Sequence, residues 1–361
     1  MLYKSFLLLS NDYAFLNVFR YITFRTAIAV FFGFLFSFFL VPPFIRFLKR
    51  RQLGEEIRED GPQSHFSKRG TPTMGGFIIL LSILISTLLL NDLSNRYVLL
   101  SLFVLVTFGL LGLFDDYKKV VKKDTKGLTA GKKFFFQFVI GLIVGFLLYK
   151  GFVSKEFKTV VMFPFFKDLL PQLGIFFIPY AAIVIVATSN AVNLTDGLDG
   201  LAIGPLLIAA VAYLIFSYVA GHSEISKYLL VQHVRGAGEL AILCGTIFGA
   251  GLGFLWFNAY PAQIFMGDVG SLSLGSILGV IALSIKQEIL LFSVCGLFVI
   301  EVLSVLIQVV SFKLTGKRVF KMAPLHHHFE ESNWPESRIT IRFWIIAVIL
   351  ALLSVATLKL R

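Results

Sequence analysis

Charge is scarce in this sequence. Asp, Glu, Lys and Arg make up only 15% of the 361 residues, while hydrophobic residues make up 57%. Water-soluble globular domains carry about a quarter charged residues, so an ordinary soluble fold is excluded. Cysteine is equally sparse. Cys244 and Cys295 both lie inside apolar runs, where thiols act as small hydrophobes, and neither a disulfide framework nor a thiolate metal site is suggested. A cleavable leader is not expected, since the first apolar stretch, 6–9, is too short for one, and residues 1–25 are expected to lie along the membrane interface. Internal repeats and low-complexity linkers are absent, so one domain is expected over 1–361.

What the chain does have is long apolar blocks. They cover 27–44, 74–90, 98–114, 134–149, 173–187, 201–220, 240–257, 272–285, 289–312 and 343–358. A bilayer is crossed by about 20 apolar residues. Helices of a soluble bundle would show a polar stripe, and these mostly do not. The expected fold is therefore an all-α membrane protein with about ten transmembrane helices. The blocks 173–187 and 272–285 qualify only if their flanks extend the helix. The 40 phenylalanines read as lipid-facing bulk.

A net charge of +12 would suggest a nucleic-acid partner in a soluble protein. Here its placement argues against one. Basic residues concentrate in the alternate loops 46–69, 118–133 and 313–342, which the positive-inside rule makes cytoplasmic. Both termini are then periplasmic. Loops 188–200 and 258–271 fall on the same side and hold no Lys or Arg. On the other side, 150–172 alternates over 157–162 and reads as a short hairpin or interfacial piece. The stretch 221–239 reads as a solvated connection, with His222 and His233 as ordinary loop residues.

Five cytoplasmic segments combine carboxylates, cations, amides and glycines, the groups that phosphate chemistry needs. SHFSKRGTPTMGG (64–76) leads into the second span and offers Lys68, Thr73 and free amides as an anion cradle; a plain helix cap is the bland reading. Asp115 and Asp116 end the third span. Adjacent carboxylates repel unless a cation or a proton intervenes, and neighbours on a helix diverge by about 100°, so one metal is not gripped equally by both. In NAVNLTDGLDGLA (190–202), Asn190, Asn193 and Asp196 share a helix face, without a nearby Lys. Asn258, Phe265 and Asp268 fall in WFNAYPAQIFMGDVGS (256–271). Asp268 stands between glycines as the only acid of its loop, a metal ligand rather than a cap. MAPLHHHFE (322–330) holds three consecutive His. If extended they cannot converge on one ion, and a zinc site lacks further ligands. Glu301 lies inside the ninth span, where a carboxylate suggests function by default. On this topology it sits in the outer half, away from the other acids, and it reads equally as a structural hydrogen bond; it is left outside the site.

These five segments, in order, resemble those of the phospho-N-acetylmuramoyl-pentapeptide transferase family, within the wider polyprenyl-phosphate N-acetylhexosamine-1-phosphate transferases. The likeness covers essentially the whole chain. It implies transfer of phospho-MurNAc-pentapeptide from its UDP-linked donor, UDP-N-acetylmuramoyl-pentapeptide, to undecaprenyl phosphate, with Mg²⁺ as cofactor, at the cytoplasmic face of the bacterial inner membrane. A homodimer is compatible with it. By the same resemblance Asp115, Asp116, Asp268 and His326 are catalytic, and Asp268 is the Mg²⁺ ligand. Lys68, Thr73, Lys119, Lys133, Asn190, Asn193, Asp196, Asn258, Phe265, His327 and His328 are placed at the substrates, with Lys133 chosen over Lys132. A sister transferase using UDP-GlcNAc shares the Asp motifs, and the PLHHHFE segment argues for the peptide-bearing donor. A transporter would put its charges near the bilayer midplane rather than at span ends.

The loop charges generate a test of orientation. A cysteine at position 124 should be shielded from a membrane-impermeant thiol reagent in intact cells, and one at 155 should be labelled. The opposite pattern would invert the topology.

Overall fold

The computed structural model describes residues 2–10, 12–52, 54, 68, 70–121, 127–152, 157–164, 166 and 169–359. Among these the chain is helical, and β-pairing is confined to isolated bridges. In chain order the α-helices are α1 (Leu2–Leu9), α2 (Ile22–Arg50), α3 (Gly76–Leu90), α4 (Arg96–Val120), α5 (Ala130–Tyr149), α6 (Phe177–Thr195), α7 (Ile203–Gly221), α8 (Ser223–Leu229), α9 (Gly238–Asn258), α10 (Gly267–Ser284), α11 (Leu291–Val294), α12 (Gly296–Thr315), α13 (Leu325–Glu330) and α14 (Glu336–Ala356).

Nine of them are long and apolar enough to cross a membrane: α2, α4, α5, α6 with the turn before it, α7, α9, α10, α12 and α14 with the turn after it. The expected ten thus resolve into nine and a shorter apolar helix, α3, of 15 residues. Both doubtful blocks gain length from polar flanks. α6 runs on to Thr195 and α10 starts at Gly267, which takes Asn190, Asn193 and Asp268 into the end turns of spanning helices. The run 289–312 is not one helix, because α11 stops and Cys295 separates it from α12. The 221–239 connection contains α8, whose N-cap is His222, accepting the Ile225 N–H at 3.4 Å. His222 is thus a loop residue with a structural role as a cap. Val160 and Gln172 form an antiparallel bridge, so the 157–172 stretch does fold back on itself.

α10 is the centre of the bundle, with every residue from Asp268 to Ser284 buried. Its glycines and serines let neighbours come close, as small residues do in membrane helix packing. A Cβ on Gly275 would lie 2.7 Å from the Thr188 carbonyl oxygen of α6. The pair α2 and α9 is as tight: a Cβ on Gly249 would meet the Val30 carbonyl oxygen at 2.0 Å, and one on Gly253 that of Phe34 at 2.6 Å.

The end of the bundle where α2 begins is fastened by charge. Arg25 is 2% exposed and binds both Glu239 oxygens, at 2.6 and 3.0 Å. It also donates to the Leu90 carbonyl and lies 4.0 Å from the centre of the Tyr3 ring. Glu239 in turn accepts the Asp92 N–H at 2.9 Å. One ion pair therefore joins α1, α2, α9 and the end of α3. Removing one partner strands the other charge at a cost of about 3–5 kcal/mol, whereas replacing both with apolar groups is often neutral. Glu239→Ala should lower the melting temperature in detergent markedly, and Arg25→Met with Glu239→Leu should recover most of the loss. A single variant as stable as the parent would refute this role.

Candidate active site

The C-terminal ends of α4, α6 and α9 and the N-terminal ends of α3, α5, α10 and α14 meet at one end of the bundle. Strand-like bonds hold α3 there: Gly75 and Gly76 donate to the carbonyls of Phe265 and Met266, both at 2.8 Å, and Phe265 donates to Pro72 at 2.8 Å.

Asp115, Asp116 and Asp268 come together at this junction, each offering an oxygen within 4.8 Å of the others. All three are buried. The adjacent aspartates do diverge. Asp116 turns to the start of α10, where its oxygens accept the N–H groups of Asp268 and Val269 at 3.2 and 3.1 Å. It caps that helix from outside, a placement that the helix dipole favours. Asp115 accepts the Leu128 N–H at 2.6 Å and pairs with Lys119 at 2.6 Å.

Asp268 is neither in a loop nor without a cation. It occupies the first turn of α10, and its Oδ2 is shared by Lys119 and Lys133, both at 2.8 Å. Its Oδ1 accepts from Asn193 at 2.6 Å. Lys133 also reaches Asn193 Oδ1 at 3.3 Å, so the amide row of α6 has a lysine after all. These cations come from α4 and α5 and are invisible in the local motifs. Lys133, on the inner side of its helix, enters the cluster; Lys132 is exposed.

A second cluster lies beside the turn after α6. Lys68 binds Asp199 at 2.7 Å and pairs with Glu336 at the start of α14. Glu336 also accepts the Asp199 N–H at 2.6 Å. Burial works against the Lys68 charge, but hydrogen bonds and charge from Asp199 and Glu336 outweigh it and raise its pKa. The half-buried Phe265 ring has Lys68 Nζ 5.9 Å from its centre. Neither Asp199 nor Glu336 was expected in the site. The signal for Asp199 was its place in the same acidic turn as Asp196; Glu336, alone after a proline, gave none.

The other expected residues divide. Thr73 is buried, and a Cβ on Gly267 would approach both its Oγ1 and Asp116. Asp196 is half-buried at the C-terminus of α6. Asn190 faces α5 instead, donating to Gln137 at 2.7 Å. Asn258 is buried and braces two loops, donating to the Ile264 carbonyl and accepting from Gly200 N–H. Residues 64–67 and 69 of the first motif, and 122–126, lie outside the described residues.

The His run is helical, not extended, and its members part company. His326 Nδ1 lies 3.1 Å from Glu301, His327 Nδ1 2.7 Å from Glu330, and His328 Nδ1 accepts the Lys321 N–H at 3.1 Å. A Cβ on Gly197 would stand 2.5 Å from His326 Nε2. Glu301 is therefore not remote: α13 folds back along α12 and joins it to the turn after α6. The expected distance failed because α12 starts after a break and carries Glu301 at the level of that turn.

The three carboxylates could together hold a metal ion, and an all-oxygen donor set suits a hard divalent cation better than zinc. The fold and this centre define a polytopic helical membrane protein with an acid–lysine site at its helix ends. Residues 97–286 match Glycosyl transferase family 4. The whole chain is 56% identical, over 362 aligned residues and 100% of both chains, to a phospho-N-acetylmuramoyl-pentapeptide-transferase of Desulforapulum autotrophicum. The chain belongs to that transferase family, within glycosyl transferase family 4.

The cluster depends on α4 lying directly on α10. A Cβ on Gly112 would be 2.4 Å from the Asp268 carbonyl oxygen, whereas Gly131 has nothing within 4 Å. Gly112→Ala should destabilise the protein by about 1–3 kcal/mol, as overpacking does. Gly131→Ala, in the first turn of α5, should be neutral or gain up to about 1 kcal/mol. Equal melting temperatures for the two variants would contradict the close contact.

Proposed function

We propose that this protein transfers phospho-N-acetylmuramoyl-pentapeptide from UDP to undecaprenyl phosphate, releasing UMP and forming lipid I. The observation that carries the reading is the gathering of Asp115, Asp116, Asp268, Lys119, Lys133 and Asn193 at one end of the bundle, in a chain so close to a named transferase over its full length. One substrate is water-soluble and the other is held in lipid, so the reaction belongs at a membrane surface. The basic loops support a cytoplasmic-facing surface of the bacterial inner membrane as that place.

An oxygen of the lipid phosphate attacks the phosphorus that carries the sugar. The bond from that phosphorus to UMP breaks, and a lipid-linked pyrophosphate forms. Asp115 takes the proton when the attacking phosphate carries one. Asp268 would hold Mg²⁺, which supplies charge neutralisation on the phosphate oxygens. Lys119 and Lys133 share one carboxylate oxygen of Asp268, and turn to the phosphates as that carboxylate is otherwise neutralised. Asn193 fixes the Asp268 carboxylate. Lys68, Phe265, Thr73 and Asp196 line the nucleotide side. His326 faces the same turn, with His327 and His328 beside it, and Asn190 and Asn258 support the site through their helix and loop contacts.

The test is UMP release by purified protein in detergent with undecaprenyl phosphate. UDP-MurNAc-pentapeptide should react and UDP-GlcNAc should not; comparable turnover would move the protein to the sister family. Asp268→Asn should abolish Mg²⁺-supported turnover in a folded protein. Asp115→Asn should cut transfer by a factor on the order of 10²–10⁴, the usual contribution of a positioned base, while Mg²⁺-dependent donor binding persists. Loss of that binding would make Asp115 a metal or structural group instead.

A further inference from the structure

Glu301 is fully buried in α12, where an ionised side chain is costly unless paired. Its Oε2 meets His326 Nδ1 at 3.1 Å, and its Oε1 is buried without a hydrogen-bond partner. His326 is itself 1% exposed. Its Nε2 is likewise buried without a partner, at the backbone of Gly197, where a Cβ would come within 2.5 Å. Buried polar atoms are nearly always hydrogen-bonded, so an imidazole nitrogen in this condition marks a place where a partner is missing. The turn it faces runs from Asp196 to Asp199, and Asp199 holds Lys68.

We infer that Glu301 is a positioning residue for His326: its carboxylate keeps the ring proton on Nδ1 and holds Nε2, as a bare acceptor, at the Gly197 turn toward the hydroxyl- and amide-bearing UDP-linked donor. A carboxylate can only accept, so the bond to Nδ1 fixes which nitrogen carries the proton, as it does for histidines oriented by acids elsewhere. Gly197 supplies the complementary fit, since any side chain there would displace the ring. Glu301 touches neither substrate nor reacting phosphorus on this account; it acts through His326. The inference rests on the proposed transfer reaction for its activity readout, and on geometry alone for its tautomer.

The experiment is a double-mutant cycle on UMP release, with Glu301→Gln, His326→Ala and the double variant, beside melting temperatures. If wild-type protein releases no UMP, the transfer reading has failed, not this one. With active wild type, Glu301→Gln should reduce kcat/KM about 10–100-fold, the usual cost of losing such a partner. In the His326→Ala background the same change should cost nothing further. An equal loss in both backgrounds, or wild-type activity for Glu301→Gln, would overturn the inference. Should Glu301→Gln fail to fold, ¹⁵N-histidine spectra of the wild type, assigned with His326→Gln, decide. A protonated Nδ1 and bare Nε2 on His326 support the inference, and the reverse tautomer refutes it. This readout requires no turnover.

Discussion

α4 and α10 touch backbone to backbone at Gly112, and α3 and α10 do so at Gly76, where a methyl group would stand 2.1 Å from the Gly270 nitrogen. That closeness is what makes a charged centre tenable at the end of a lipid-embedded bundle. Asp116 reaches the first amides of α10 only because nothing separates the helices. Asp268 is thereby set in the turn where the helix N-terminus favours negative charge, one residue from the Gly267 backbone that bends with φ of +73°. A bulkier seam would separate the acids, and the lysines could not bridge them.

The balance of charge follows. Three buried carboxylates face two ammonium groups, and both lysines converge on the same Asp268 oxygen while also reaching Asp115, Lys119 at 2.6 Å and Lys133 at 3.8 Å. Such a set is compact in the absence of ligand because each acid has a donor. Acids outnumber lysines in it by one, which suits a divalent cation arriving with phosphates. The lysines and acids come from three helices, α4, α5 and α10, and Asn193 adds a fourth, α6, so the centre forms only when these helices have met.

Much of this could be read from the chain alone. The apolar blocks located the spanning helices, and the motifs located Asp115, Asp268, Asn193, Lys119 and Lys133, all of which meet. What could not be read was pairing between segments far apart in sequence. Asp268 looked solitary because its two lysines belong to α4 and α5. Glu301 looked remote because a helix drawn from an unbroken apolar run puts it deep, whereas the break at Cys295 resets that helix and α13 returns to it. Whether the three histidines were extended or coiled stayed open because a short motif gives no period, and the structure coils them. Asn190 shared a face with Asn193 as expected, but one turn of helix is enough to carry it onto Gln137.

The clasp between Arg25 and Glu239 joins positions 214 residues apart. Ribosomes add about 5–20 residues per second, so the second half of the pair emerges on the order of 10–40 s after the first. For that interval the first long helix is in the membrane with a guanidinium at its end and no acid to meet it. The glycine-faced ninth helix, which fits it so closely, does not yet exist. Assembly of this enzyme is therefore a matter of waiting as much as of folding. Whatever shelters α2 during synthesis, lipid phosphates or the insertion machinery, has to release it when α9 arrives.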